Sequence, residues 1–452
     1  MSQVTTTDLY EVTMALSYLR EDMRGPATFS LVVRDLPPGR GFLVAAGIEA
    51  ALDYLGRFRV GRSDVQDFAA ALRRPVEDLE PLHGLSFDGE VRAVPEGRLV
   101  LAGEPLLEVT APLPQAQLVE TYLLTLLGHR TAVASKAARC VIAAAGRPLL
   151  DFSLRRVHGP EAGLQAARLG ALVGFAGTSN IAAARRYGIA AAGTMSHSYV
   201  ESFPSEEAAF RAFARTHPGP VTFLVDTYDT DRGVATAARV LADLGLGPEC
   251  AVRLDSGDLG ALARRARTAL DTAGLAGVRI IASGGLDEYE IDRLVRDGAP
   301  IDAYAVGSRV GTASDAPYLD TAYELVEYDG RPVMRLSPAK VTVPGRKQVF
   351  RGPGLQDVVG LANEQPPERT EPLLKTVMRG GLRTDPPDTL AAARARFEAD
   401  LAALPEEARR IADPVAPVPA ASTRLTALTA VVRHRIEART GAGRWAPERP
   451  GS

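Results

Sequence analysis

The sequence predicts an α/β protein: a TIM-like α/β barrel of irregular outline, joined to a discontinuous β-rich (α+β) domain. Three observations carry this reading. Apolar strand candidates begin near Leu149, Leu172, Ile189, Val221, Val252, Val278 and Ala303, each followed by a polar or Gly-rich turn and a helical segment. That rhythm marks parallel βα units, and seven in a row favour a barrel over an open doubly wound sheet, the alternative. Short strands punctuated by Gly and Pro precede the rhythm, and strands return after residue 320.

Composition is compatible with this. The chain has 452 residues, 46% hydrophobic and 24% charged, enough core for roughly two or three soluble domains. A net charge of -3 gives no reason to expect a nucleic-acid or membrane partner. The two cysteines, Cys140 and Cys250, lie far apart. They exclude a disulfide framework and a thiolate-rich zinc site, and they fit a reducing compartment. The first residues lack a basic segment followed by an apolar one, and no apolar run is long enough to span a bilayer. A cytoplasmic protein is expected.

In chain order, residues 8–22 read as a helix capped by Thr7 or Asp8, with Leu9, Val12, Leu16 and Leu19 as its apolar stripe and Tyr10 away from the stripe's centre. Residues 27–33 form a strand that runs into a turn-rich loop carrying Arg34 and Arg40, and 42–55 are helical or mixed. Residues 84–111 are short strands, which makes 1–112 the first part of the β-rich domain. A long Ala/Leu-rich helix follows from 115 to 145. The barrel, 113–319, supplies helices at 160–169, 179–187, 205–216, 231–244, 259–273 and 287–297. After it, Tyr323–Tyr328 and Val333–Leu336 flank Asp329-Gly330, a strong hairpin signal. With the basic stretch 340–351, this hairpin places 320–385 back in the β-rich domain. Helices at 386–412 and 423–440, joined by the Ala/Pro segment 413–422, form a C-terminal extension (386–452) whose last residues, 441–452, read as frayed.

Barrels place their chemistry where strands run out into βα turns. Here those turns are Asp151-Phe152-Ser-Leu-Arg155-Arg156, Gly177-Thr178-Ser179-Asn180, Gly193-Thr-Met-Ser-His197-Ser198, Asp226-Thr-Tyr-Asp-Thr230, Arg253-Leu-Asp255-Ser-Gly-Asp258, Ser283-Gly284-Gly285 and Gly307-Ser308-Arg309. The last two, each just before a helix, match a barrel phosphate site, with backbone amides free to approach an anion. Asp255 and Asp258 are able to hold a ribose hydroxyl or Mg²⁺, or else to cap helices; Asp226 and Asp229 carry the same ambiguity. His197, between two serines, reads as an acceptor and donor of a phosphoryl group, against the alternative of a hydrogen-bonded structural histidine. The sum is an enzyme for a phosphorylated, Mg²⁺-bound anion.

Eight stretches, in order, resemble the nicotinate phosphoribosyltransferase family: Thr7–Met14, Gly39–Gly47, His158–Gly163, Gly174–Asn180, Gly193–Ser198, Val225–Thr230, Arg253–Asp258 and Ser283–Glu288. The resemblance implies a β-rich domain on an irregular barrel, assembled as a head-to-tail homodimer. It implies that nicotinate is joined to phosphoribosyl pyrophosphate with Mg²⁺, giving nicotinate mononucleotide and diphosphate. It further implies ATP hydrolysis coupled through a phosphohistidine that His197 matches, and hence an ATP-dependent enzyme of the C–N ligase class. By the same resemblance Phe152 stacks on the pyridine, Tyr10 of the neighbouring subunit covers its other face, and Arg155 meets the carboxylate. Arg253 and Asp255 match contacts to pyrophosphate and ribose, and Gly284, Gly285, Gly307 and Ser308 the 5′-phosphate turns. Thr178, Ser179, Asp226 and Ser283 belong to the substrate set, and Arg40, Lys340 and Lys347 are further candidates to reach phosphates. Nicotinamide-specific relatives carry an Asp where this chain has Ser179, which favours nicotinate. Ser153 stands where the family usually has Gly, and the zinc-binding cysteines of some relatives are missing. The rivals are a nicotinamide-preferring transferase and a non-catalytic phosphoribosyl-binding paralogue.

Overall fold

Helix starts in the barrel are written in side chains. Asn180, Ser205, Asp229, Asp258 and Asp287 each accept a backbone N–H in the first turn of the helix that follows, satisfying donors that a helix end otherwise leaves bare. These helices, including Glu206–Thr216, Thr230–Asp243, Leu259–Thr272 and Glu288–Arg296, pack on a six-stranded parallel sheet. The structure is a computed structural model that describes residues 3–337 and 340–440. The sheet runs Gly177–Thr178, Leu149–Asp151, Ala303–Val306, Arg279–Ala282, Ala251–Leu254, Thr222–Leu224.

Two of the expected strands differ. The stretch from Leu172 is not a strand start: Leu172 ends the helix Pro160–Leu172, and the strand follows only at Gly177. Gly174, at φ 110°, turns the chain between them, a conformation that glycine adopts without steric cost. The strand expected at Ile189 shrinks to a single parallel bridge, Thr178 to Ala191. The barrel wall closes there through backbone bonds from Thr178 to Ala190 and from Ala192 to Thr178. The Thr194 hydroxyl adds a bond to the carbonyl of Thr222, at 2.5 Å. Closure by a loop rather than a ladder is what makes the barrel irregular.

The strand Pro26–Val33 lies between Pro105–Pro112 on one side and Thr321–Tyr328 on the other, all antiparallel. Chain segments before and after the barrel thus share one seven-stranded sheet, and Phe29 stacks on Tyr323 across that junction, 4.6 Å between centroids. The Asp329-Gly330 turn forms, but its second strand is Arg331–Pro332, pairing with Thr321–Tyr328, and the strand expected at Val333–Leu336 is absent. A second, four-stranded sheet holds Lys347–Arg351 and takes in Ala420–Ala421 from the Ala/Pro segment. Residues 56–83, to which the sequence reading assigns nothing, contain the helix Arg62–Leu72 and the 3-10 turn Val76–Leu82. The C-terminal helices are Leu390–Ala403, Glu406–Arg409 and Thr423–Thr440; the expectation for 441–452 lies outside the described residues. Among the described residues, no helix is long and apolar enough to cross a membrane.

The 24-residue helix Glu120–Ala143 joins these parts and buries charge in doing so. Lys136 Nζ sits 2.5 Å from Glu288 and 2.9 Å from Asp315, and Arg139 Nε donates to Glu288 at 3.0 Å. Arg40 reaches the same Asp315 from the first β-rich segment, at 2.9 Å. Burial raises the pKa of the Asp315 carboxyl, but Arg40 and Lys136 outweigh it and the net shift is downward. Glu288 opens the helix after the Ser283-Gly284-Gly285 turn, and Asp315 follows the Gly307-Ser308 turn. The cluster therefore ties both glycine turns to the β-rich part of the chain.

Candidate active site

At the strand ends lies a cleft of about 570 Å³ lined by Phe152, Arg155, Ser179, the turn Gly193–Ser198, Arg253 and Asp255. That size suits a small-molecule ligand, and its polar groups come from four different strand ends. The Arg253 guanidinium sits over the Phe152 ring, 5.8 Å from its centroid, and Nη2 donates to the carbonyl of Met195 at 3.4 Å. Burial lowers the pKa of Arg253; Asp255 and Asp226 oppose that shift and Arg155 adds to it. Two guanidiniums thus share one cleft with an aromatic face between strand ends, an arrangement complementary to an anionic, planar ligand.

His197 opens a short helix, His197–Glu201. Its Nδ1 lies 3.2 Å from the Thr227 hydroxyl and its Nε2 lies 3.8 Å from Asp255 Oδ2. The imidazole is therefore hydrogen-bonded, as the structural alternative requires, yet it is part-exposed and lines the cleft. Asp255 is itself held in place. Its N–H donates to Asp226 Oδ2 at 2.9 Å, and Ser283 donates its hydroxyl to Asp255 Oδ1. Asp226 also accepts from the Ser256 hydroxyl at 2.8 Å, while its Oδ1 is buried with no donor among the described residues. Of the four ambiguous aspartates, Asp229 and Asp258 are helix caps; Asp226 and Asp255 are not.

The glycine turns adjoin the cleft. Gly284 has φ 92°, and a Cβ there would lie 1.8 Å from the carbonyl of Asp255, so only glycine lets these two strand ends come together. A Cβ on Gly307 would lie 3.3 Å from the carbonyl of Phe152. Arg309 bridges the turns by an ion pair with Asp287 at 2.7 Å. Ser283, Gly284, Gly285, Gly307 and Ser308 are thus brought beside the cleft rather than into its lining.

Other expected site residues stand elsewhere. Thr178 is fully buried and gives its hydroxyl to Asp151 at 2.7 Å; it lies behind Ser179 and does not face the cleft. Arg40 is outside the cleft lining, its side chain fully buried against Asp315. Lys347 also stands outside the cleft lining: it is 3% exposed, and its Nζ donates to the carbonyls of Val343 and Gly345, both at 3.0 Å. Burial lowers the Lys347 pKa, with Glu108 opposing. Lys340 is exposed and outside the cleft lining. Tyr10, 44% exposed, is also outside it and donates its hydroxyl to Glu120 at 2.9 Å. Sequence reasoning gave no role to Asp151 or Thr227. Both sit inside turns it singled out, but only the packed structure shows their partners.

An irregular barrel with an aromatic ring, two guanidiniums, a histidine–aspartate pair and glycine turns at its strand ends suits an enzyme for a small anionic ligand. Comparison with known proteins sharpens that class. Residues 5–128 match the nicotinate phosphoribosyltransferase N-terminal domain and residues 148–299 the nicotinate phosphoribosyltransferase family. The chain is 45% identical to nicotinate phosphoribosyltransferase pncB2 of Mycobacterium tuberculosis, covering 95% of this chain and 93% of that protein. It is 34% identical to the human enzyme of that name, covering 93% and 95%. The crystal structure of human nicotinic acid phosphoribosyltransferase superposes with a TM-score of 0.83 at 31% identity, covering 94% of this chain and 99% of that one. This chain belongs to the nicotinate phosphoribosyltransferase family.

Proposed function

We propose that the protein joins nicotinate to phosphoribosyl pyrophosphate, releasing nicotinate mononucleotide and diphosphate, and that ATP hydrolysis is coupled to this step through phosphorylation of His197. The observation that carries the reading is His197 set between Thr227 and Asp255 in the same cleft as Phe152, Arg155 and Arg253. Family membership supports the substrates.

In this reading Phe152 stacks on the pyridine, while Arg155 and the Ser179 hydroxyl meet the carboxylate. The ring nitrogen's lone pair forms the bond to the ribosyl carbon as that carbon's bond to diphosphate breaks; the electron pair leaves with diphosphate and no proton moves. Arg253 neutralises charge on the departing group, Asp255 holds the ribose, and the turns Gly284-Gly285 and Gly307-Ser308 receive the 5′-phosphate. Asp226, with its unpaired buried Oδ1, and Asp255 are the carboxylates suited to Mg²⁺ carried on the substrate's phosphates, where the ion would screen their charge. Tyr10 covers the pyridine from a second copy in a head-to-tail homodimer.

ATP transfers its terminal phosphoryl group to a ring nitrogen of His197, leaving ADP; water later cleaves that N–P bond and inorganic phosphate departs. Phosphorylation contributes by favouring the state that binds the sugar donor tightly. Incubation with terminally labelled ATP tests this. Acid-labile, base-stable label in the wild type and none in His197→Ala is expected. No label in the wild type would rule out the phosphohistidine and favour a binding-only paralogue.

A further inference from the structure

We infer that Asp151, a residue that does not touch the cleft, sets the geometry of the pyridine pocket and thereby the preference for a carboxylate over a carboxamide. The inference rests on the reading of this cleft as the nicotinate site and adds a positioning residue to it.

Asp151 ends the strand Leu149–Asp151 and is 3% exposed. Its carboxylate forms no ion pair among the described residues, and a buried carboxylate in that condition is costly unless its oxygens find donors. Both do. Oδ1 accepts the N–H of Ser153 at 3.0 Å, and Oδ2 accepts the Thr178 hydroxyl at 2.7 Å. The carbonyl of Asp151 accepts the N–H of Ser179 at 2.9 Å. One residue is therefore bonded to two turns: the one that carries Phe152 and Arg155, and the one that carries Ser179. The Thr178 hydroxyl extends the connection by accepting the N–H of Asn180 at 3.0 Å, and Asn180 caps the helix Ile181–Tyr187.

The arrangement needs two acceptors on one side chain. An amide in place of the carboxylate supplies one acceptor and one donor. It satisfies one turn and sets an N–H against the hydroxyl or N–H of the other. Nicotinate and nicotinamide differ only in an oxygen against an NH₂, so discrimination requires that donors from both turns meet the two carboxylate oxygens together. A displacement of one turn relative to the other removes that requirement while leaving the stacking ring in place.

The test measures initial rates of the holoenzyme with nicotinate, nicotinamide and phosphoribosyl pyrophosphate for wild type, Asp151→Asn, Thr178→Val and Thr178→Ser. For Asp151→Asn and Thr178→Val the nicotinate KM is expected to rise about tenfold or more, the scale of one lost hydrogen bond to a charged group. The nicotinate-to-nicotinamide preference should fall by a similar factor, with the phosphoribosyl pyrophosphate KM changing less than about twofold. Thr178→Ser, which keeps the hydroxyl, should hold the wild-type preference. Should Asp151→Asn fail to fold, a difference between Thr178→Val and Thr178→Ser still supports the inference. An unchanged preference in the folded variants, equal behaviour of Thr178→Val and Thr178→Ser, or a parallel rise in both KM values overturns it. Absence of nicotinate turnover by the wild type overturns the functional reading, and this inference with it.

Discussion

A Cβ placed on Gly311 would lie 2.6 Å from the Cβ of Ser153 and 2.6 Å from a methyl of Val157. The bare Gly311 is what leaves room for the Ser153 side chain. Ser153 has φ -83° and ψ -27°, ordinary right-handed backbone that needs no glycine. Gly311→Ala should therefore destabilise the protein by about 1–3 kcal/mol through overpacking. Adding Ser153→Gly should recover part of that loss, read as midpoints in denaturant. The Ser153 hydroxyl is buried without a partner among the described residues, so Ser153→Ala should leave stability equal or higher, by up to about 1 kcal/mol. At this scale the sequence was informative about residue types and less so about partners. Asp258 and Asp229 cap helices by the local rule that made them ambiguous. Thr178 points inward because of Asp151, remote in sequence, which no local pattern contains; Lys347 is held by the nearby carbonyls of Val343 and Gly345 beside the remote Glu108.

Two helices carry predictions of their own. In Glu120–Ala143, Lys136 faces two carboxylates; Lys136→Met would leave them buried with less cationic partnership, a loss of roughly 3–5 kcal/mol. Because Glu288 and Asp315 flank the two glycine turns, the same variant should weaken phosphoribosyl pyrophosphate more than nicotinate, which separate KM measurements would show. In the first helix, Leu9–Arg20, the Glu11 carboxyl accepts from Thr7 and Thr121. Burial pushes it from 4.5 up to about 7, against the lowering effect of those bonds. The folded state thus binds the proton more tightly than the unfolded chain. Its contribution is full below the unfolded value near 4.5 and is lost as pH rises through about 7. Glu11→Gln should flatten that fall in melting temperature between pH 5 and 8; an unchanged slope would assign the pH dependence to other groups. The helices themselves were legible from caps and apolar spacing. The strand expected at Ile189 was not, because the four-residue apolar run Ile189–Ala192 reads the same whether it pairs along a ladder or bridges once.

For the whole molecule, the discontinuous sheet follows from strong local signals at both ends, the Asp329-Gly330 turn above all, while the closure of the barrel by a loop depends on contacts between Thr178, Ala191, Thr194 and Thr222 that only folding brings together. Tyr10 is exposed outside the cleft that Phe152 lines, and the proposed head-to-tail dimer unites them. Tyr10→Ala and Phe152→Ala, each weak alone, should regain about a quarter of wild-type activity when exchanged into mixed dimers, since half the dimers then hold one intact site. No recovery after verified exchange would place both residues in sites within one subunit.

The most direct measurement is nicotinate mononucleotide formation from nicotinate, phosphoribosyl pyrophosphate and Mg²⁺, with and without ATP, in the wild type and in His197→Ala, with nicotinamide run in parallel. The account predicts turnover of nicotinate that ATP strongly stimulates, loss of that stimulation in His197→Ala, and little use of nicotinamide. A wild type that prefers nicotinamide, or whose nicotinate turnover ignores ATP, would contradict it.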